Sequence, residues 1–107
     1  GAPMNKVIAE SRLRINTAAS GDTKLVAAAP GLRCRVHGLR LSVAGAVIVS
    51  IKAGSTVLET FNFVGAGTMA PLVLRFQPYY ETAANEALNI SLSHAVQCDG
   101  VLEYTMS

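Results

Sequence analysis

Apolar and polar residues alternate along the stretch 32–52, near the middle of the chain. Two runs carry an apolar side chain at every second position: Leu39, Leu41 and Val43 in the first, and Val47, Val49 and Ile51 in the second. A strand turns successive side chains to opposite faces, so each run predicts one buried and one exposed face. Between the runs, Gly45 is expected to take a positive φ in a tight connection. The pattern therefore predicts a long antiparallel hairpin.

The rest of the chain predicts further short strands separated by turns. The predicted strands lie at 23–28, 56–63, 69–76, 88–96 and 101–106, with shorter apolar runs at 6–10 and 12–16. In the strand 56–63, Val57, Phe61 and Phe63 share one parity. Clusters of turn-forming residues lie at 19–22, 30–31, 65–67 and 99–100, and only 83–87 favours a helical turn. About eight strands at spacings of roughly 8–12 residues predict an all-β fold, an antiparallel, jelly-roll-like β-sandwich.

The length of 107 residues fits a single domain. Residues 1–3 precede Met4 and are interpreted as a cloning scar. Residues 4–22 are interpreted as an N-terminal strand or arm, and residues 23–107 as the β-sandwich domain. The apolar runs are too short to predict a transmembrane helix, and no signal peptide is recognised.

The chain carries few charges, since charged residues make up 15% of it and hydrophobic residues 50%. Soluble domains usually carry about 25% charged residues, so this deficit predicts that another copy or a partner covers part of the surface. A small alanine-rich domain is the alternative. The net charge of +2 does not favour nucleic acid. Arg33, Arg35 and Arg40 alternate without interleaved aromatic residues, which predicts a solvated strand face or a contact with an acidic partner.

The residues that could carry chemistry form no recognisable motif. Cys34 and Cys98 are interpreted as reduced core residues, with a disulfide as the alternative if their strands are neighbours. His37 and His94 lack carboxylates at ligand spacing and are expected at the surface or an interface. Neither a G-x-S-x-G elbow nor a phosphate loop is present, and the acidic residues are scattered. We therefore expect no catalytic residues, no metal, no cofactor and no enzymatic activity.

Two adjacent aromatic residues, Tyr79 and Tyr80, are the most prominent candidate for a contact surface. In an extended segment they project to opposite faces, so one can pack inward while the other meets a partner. The alternative is that both cap the sandwich. The candidate partner-contact residues are Arg33, Arg35, His37, Tyr79 and Tyr80.

Three segments carry a resemblance to a known group of proteins: VAGAVIVSIKAGSTVL at 43–58, FQPYYETAANEALNISLSHAV at 76–96 and GVLEYTM at 100–106. Together they resemble small all-β structural proteins of tailed bacteriophages, among them the capsid decoration, or cement, proteins. The resemblance extends over roughly residues 23–106. It implies a homotrimeric virion protein that is made in the host cytoplasm and binds the major capsid protein on the outside of the head. It implies no cofactor, no nucleic acid and no membrane as partner.

The alternative function is a tail or head-fibre module that recognises a cell-surface glycan. Jelly rolls host that role as readily, because a fold does not determine a function. The absence of Trp, which leaves three Tyr as the aromatic residues suited to a sugar site, counts against it.

Overall fold

The computed structural model describes residues 11–69 and 76–107. These residues form nine strands and no helix. The strands are β1 (Ser11–Thr17), β2 (Gly21–Val26), β3 (Cys34–Val43), β4 (Val47–Ala53), β5 (Thr56–Phe63), β6 (Gly67–Thr68), β7 (Tyr80–Glu81), β8 (Leu88–Leu92) and β9 (Cys98–Met106).

The strands form two antiparallel sheets that pack face to face. The first, here called the β1 sheet, has the order β1-β9-β3, with β6 and β7 both pairing with the free side of β3. The second, the β2 sheet, has the order β2-β8-β4-β5. With β6 and β7 sharing one position, this order is that of an eight-stranded jelly roll. The prediction of an antiparallel, jelly-roll-like β-sandwich is confirmed.

The core lies between the two sheets and consists of aliphatic side chains at alternate strand positions. The fully buried aliphatic residues of the described chain are Ile15, Val36, Leu41, Val49, Ile51, Leu88, Ile90, Leu92 and Leu102. All six apolar positions of the central stretch 32–52 that were predicted to face inward are buried. The period of two therefore identified the inner faces of β4 and of residues 39–43 in β3 correctly.

The predicted hairpin between β3 and β4 is wrong, because the two strands belong to different sheets. β3 pairs with β9, and β4 pairs with β5 and β8. The connection 44–46 passes from one sheet to the other, and Gly45 does not have a positive φ. Two strands packed face to face bury one side each, as two paired strands do, so the alternation is the same for both arrangements.

A β-bulge in the β4–β5 hairpin corrects the prediction for Val57. Ile51 pairs with Glu59 and Lys52 with Val57, so Leu58 is an extra residue on β5. The bulge shifts the parity of the strand. As a result Leu58 packs against the core, and Val57 is 54% exposed instead of sharing a face with the two phenylalanines.

The predicted turn at Asp99–Gly100 is also wrong, because both residues lie within β9. A Cβ added at Gly100 would overlap the carbonyl oxygen of Arg40 on the neighbouring strand. Gly100 is therefore needed for a close approach of two backbones and not for a turn. The predicted helical turn at 83–87 is a non-helical turn at Ala84–Asn85, where Asn85 has a φ of 64°.

The N-terminal part of the sandwich begins earlier than the predicted boundary at residue 23. β1 pairs with β9 over its whole length and forms an edge of its sheet. The apolar run at 6–10 lies outside the described residues. So does most of the predicted strand 69–76, of which only Met69 and Phe76 are described.

The two cysteines lie at opposite ends of the same strand pair. Cys34 pairs with Met106, and Cys98 pairs with Val43 at the far end of β3. Nine residues of strand separate these positions, which corresponds to roughly 30 Å. Both thiols are free and fully buried, so the interpretation as reduced core residues is confirmed and a disulfide between them is excluded.

Candidate partner-binding site

The short strand β7 and the residues around it are attached to the free side of β3. Tyr80 pairs with Val36, and Glu81 pairs with Arg35. The amide of Tyr79 donates to the carbonyl oxygen of Val36 at 2.7 Å. These bonds place two of the predicted contact residues, Tyr79 and Tyr80, beside Arg35.

A buried threonine fixes the end of this segment. The backbone nitrogen of Cys34 donates to Thr82 Oγ1 at 2.9 Å, and the nitrogen of Thr82 donates to the carbonyl oxygen of Cys34 at the same distance. Thr82 is only 1% exposed. Breaking either bond would leave a buried polar group without a partner, so the pair holds the backbone in one position against β3.

The turn after β7 is held by a second set of hydrogen bonds. Gly31 donates its backbone N–H to Asn85 Oδ1 at 2.6 Å, and the amide of Asn85 donates to the carbonyl oxygen of Leu32 at 3.0 Å. Asparagine tolerates the positive φ at position 85 better than most residues do. The segment 79–85 is therefore supported along its length by residues 31–36.

One carboxylate joins the two arginines of the predicted site. Glu81 Oε2 lies 3.2 Å from Arg35 Nη1, and Glu81 Oε1 lies 3.9 Å from Arg33 Nη1. All three side chains are between 38% and 48% exposed. Exposed ion pairs of this kind add little to stability, so their main effect is to orient the guanidinium groups.

Tyr80 connects the edges of the two sheets. Its hydroxyl donates to Glu59 Oε1 on β5 at 3.1 Å, and its ring packs against the core. Burial, together with the negative charge of Glu59, raises the pKa of the Tyr80 phenol. The phenol therefore stays protonated at neutral pH and keeps its role as a donor. The ring centroids of Tyr79 and Tyr80 are 6.4 Å apart.

These residues surround an open cleft, here called the edge cleft, with a volume of about 310 Å³. Its lining is predominantly polar and consists of Arg35, Gln77, Pro78, Tyr79, Tyr80 and Glu81. The cleft therefore combines aromatic rings, a guanidinium group, a carboxylate and an amide on a backbone that is fixed by hydrogen bonds.

His37 does not join this group at the surface, contrary to the prediction for it. The pairing of β3 with β9 shifts between Val36 and Gly38, so His37 is the extra residue of a β-bulge. The bulge turns its side chain to a position that is 7% exposed, where Nε2 lies 3.0 Å from Thr105 Oγ1. The sequence carries a signal for this bulge, because its apolar residues change parity between Val36 and Leu39.

The structure thus brings together Arg33, Arg35, Tyr79 and Tyr80, and adds three residues that were not predicted as contact residues. Glu81 stands beside the tyrosine pair in the sequence, so its proximity was a usable signal. Glu59 lies in the other sheet, and nothing local in the sequence indicates that it meets Tyr80. Gln77 extends the polar lining of the edge cleft.

An exposed serine–histidine pair is the nearest approach to catalytic geometry. Ser93 Oγ lies 3.0 Å from His94 Nδ1 and also accepts the amide of Ile48 at 2.8 Å. No carboxylate in the described part of the chain hydrogen-bonds to His94. Without a group that orients the imidazole, the pair lacks the third member of a triad, and Ser93 satisfies the backbone of β4 instead.

Residues 11–69 and 76–107 lack two further features that would indicate a function. This region contains no cluster of three or more histidine, cysteine or acidic side chains that could hold a metal ion. It also contains no helix with the length and hydrophobicity needed to cross a membrane. No protein-family model matches the sequence, and no curated protein is significantly similar to it.

Proposed function

We propose that this chain is a structural virion protein of a tailed bacteriophage. In this role it is a capsid decoration protein that binds the major capsid protein on the outside of the head and stabilises the shell as a homotrimer. The observation that carries the proposal is the cluster of Arg33, Arg35, Tyr79 and Tyr80 on a firmly held edge of a jelly roll. The resemblance of residues 43–58, 76–96 and 100–106 to phage structural proteins supplies the biological setting.

The composition of the cluster suits protein recognition. Arginine and tyrosine are enriched among the residues that contribute most to binding at protein interfaces. Glu81 orients the arginines, and the hydrogen bonds of Thr82 and Asn85 hold the loop. A loop that is ordered before binding loses less conformational entropy on contact, which favours affinity.

A decoration protein requires no chemistry of its own. It binds the assembled shell and not the separated subunits, so the shell is stabilised by mass action. A trimer that contacts several capsomers at once gains further affinity from multivalency. The low charge of the chain, 15% of residues, agrees with a surface that is partly covered in the assembly.

Co-sedimentation with bare phage heads tests the proposal. The wild-type chain is expected to sediment with heads that lack their decoration protein and to raise their disassembly temperature. Tyr79→Ala and Arg35→Ala are expected to weaken this binding at least about tenfold, since interface residues of this type commonly contribute more than 1.4 kcal/mol. Lys24→Ala, an exposed residue on the other sheet, is the matched control and should bind as wild type.

The oligomeric state provides an independent test. Light scattering after size exclusion is expected to give a mass near three times 11.2 kDa. A chain that stays monomeric in solution and does not bind any bare head would overturn the proposal.

The edge cleft favours a second candidate, a fibre module that binds a cell-surface glycan. A tyrosine ring beside an arginine, a glutamate and a glutamine offers the stacking surface and the planar hydrogen-bonding groups that sugars use. A glycan array distinguishes the two functions. Saturable binding of one saccharide that is lost in Tyr79→Ala, without binding to heads, would favour the fibre module.

A further inference from the structure

The arginines of the described residues are all on one side of the molecule. Outward positions of the β1 sheet, including the residue that precedes β3, hold every one of them: Arg12, Arg14, Arg33, Arg35 and Arg40. The two lysines of the described residues, Lys24 and Lys52, lie on the β2 sheet. Among the described residues, arginines therefore supply the positive charge of the β1 sheet, and lysines supply that of the β2 sheet.

Three of these arginines, two on the edge strand β1 and one on β3, form a group on the outer face of the β1 sheet, here called the arginine face. Arg14 on β1 and Arg40 on β3 are both opposite Val101 on β9. Neighbouring strands are about 4.8 Å apart, so the Cα atoms of the two arginines are roughly 10 Å apart, with Val101 between them. Arg12 lies two residues from Arg14 on the same face of β1.

The arginine face carries no ion pair in the described chain, in contrast to Arg33 and Arg35, which both pair with Glu81 at the edge. Arg12, Arg14 and Arg40 are exposed, and no salt bridge joins them to another residue of the described chain. Each guanidinium group carries a planar fork of donors that matches a carboxylate. The half-buried Val101 gives the group an apolar centre with a charged rim, as protein interfaces have.

We propose that the arginine face docks on an acidic patch of a partner protein, whose carboxylates bind Arg12, Arg14 and Arg40. Two acidic residues on the same face argue against a phosphate backbone, because Glu103 is opposite Arg12 and Asp99 is one row from Val101. They would repel a continuous row of phosphates, whereas a protein surface can place its carboxylates between them. The proposal goes beyond the virion assignment and holds for whatever assembly contains the chain.

The absence of aromatic side chains from this face also favours a protein partner over a nucleic acid. No Phe, Tyr or Trp occupies an outward position of β1, β9 or β3. Proteins that bind single-stranded nucleic acid combine basic grooves with aromatic rings on which the bases stack. The arginine face has the basic groups without that platform, which favours a protein partner.

Binding of labelled poly-L-glutamate, followed by fluorescence anisotropy, tests the inference on the full chain. Arg14→Ala and Arg40→Ala are each expected to weaken binding about tenfold, because each removes the donors of a charge-assisted hydrogen bond. Arg14→Lys keeps the charge but not the fork, so it should bind between wild type and Arg14→Ala. Lys24→Ala removes the same charge from the other sheet and should leave binding unchanged.

The controls separate this proposal from simple charge attraction. Thermal unfolding of each variant should match wild type, since the three side chains are exposed. Three results would overturn the inference: no binding of poly-L-glutamate, an equal loss in Lys24→Ala, or tighter binding of a DNA duplex than of poly-L-glutamate. None of these measurements uses phage heads. Failure of this inference can therefore be distinguished from failure of the proposed decoration function.

Discussion

The outer faces of the two sheets differ sharply, although their inner faces are nearly alike. The β1 sheet presents arginines at outward positions of β1 and β3. The β2 sheet presents small hydroxyl and amide side chains, among them Ser50, Thr60, Asn62, Asn89 and Ser91. Its one ion pair in the described chain joins Lys52 to Asp22 at 3.1 Å.

The difference arises because the inner faces serve folding, whereas the outer faces are available for binding. The inner faces are both aliphatic, because the jelly roll is held together by the burial of those side chains. The outer faces contribute little to folding, so their residues are free to differ. The arginine face and the edge cleft both belong to the β1 sheet, which makes this sheet the expected binding side of the molecule.

The largest expected effect is the loss of stability when a core side chain is shortened. It tests whether the inner faces of the two sheets contribute equally to the core. Leu102 on β9 and Ile90 on β8 are both fully buried at the centre of their sheets. Leu102→Ala and Ile90→Ala should each lower the free energy of unfolding by about 2–5 kcal/mol, since both leave a cavity in the core. Denaturant unfolding measures this loss, and Ser91→Ala on the outer side of β8 is the control. A loss confined to one sheet would show that the core does not span both.

The next effect concerns the close approach of two backbones in the β1 sheet, at Gly100. Gly100→Ala should lower the free energy of unfolding by about 1–3 kcal/mol, because the new methyl group overlaps the carbonyl oxygen of Arg40. Gly65→Ala is the matched control, since a Cβ at Gly65 meets nothing within 4 Å. Equal unfolding midpoints for the two variants would contradict the close approach of β3 and β9.

A pH effect distinguishes the inner faces of the two sheets. Burial raises the pKa of both Cys34 and Cys98, which lie in the β1 sheet, from 9.0 to about 11. The thiols of the unfolded chain ionise first as the pH rises, so ionisation stabilises the unfolded state and the free energy of unfolding falls. By about pH 10 the loss should be about 1.4 kcal/mol per thiol.

Denaturant unfolding between about pH 8 and pH 10 measures this loss. The double variant Cys34→Ala/Cys98→Ala is expected to show a flatter dependence on pH than wild type. The same slope in both proteins would mean that other groups are responsible. Thiol reagents give a second measurement, because neither buried cysteine should react before the chain unfolds.

The smallest effects concern the ion pairs on the outer faces. Glu81→Gln removes the carboxylate that joins Arg33 and Arg35 and should cost at most about 1 kcal/mol. Asp22→Asn on the β2 sheet should lower stability slightly at neutral pH. Lys52 holds the pKa of Asp22 below its usual value, so this contribution is lost as the pH falls through that lowered pKa. Unfolding at low and high salt checks both variants, and a large loss in either would show that an outer face does support the fold.

The fold class and the inner faces could be predicted because they depend on local alternation. Leu88, Ile90 and Leu92 face inward, as the period of two indicates. The pairing of strands could not be predicted in the same way. The alternation in β3 and β4 is compatible with a hairpin and with a sheet-to-sheet crossing, and only long-range contacts with β8 and β9 decide between them.

The candidate site was predictable in its residue types but not in its geometry. Arg33, Arg35, Tyr79 and Tyr80 stand out in the sequence as basic and aromatic residues in a chain that has few of either. Their proximity depends on the pairing of β7 with β3, across more than 40 residues of sequence. The position of His37 was missed because a bulge changes which way a side chain points without changing the composition of the strand.

The position of β9 in its sheet also determines the order in which the strands can pair while the chain is being synthesised. β9 lies between β1 and β3, although the ribosome makes it after both of them. Until residues 98–106 emerge, these two strands lack the partner that joins them, whereas β4 and β5 can already form their hairpin. A chain that stalls before that point exposes unpaired strand edges and an uncovered aliphatic surface, which are the features that drive nascent chains to aggregate.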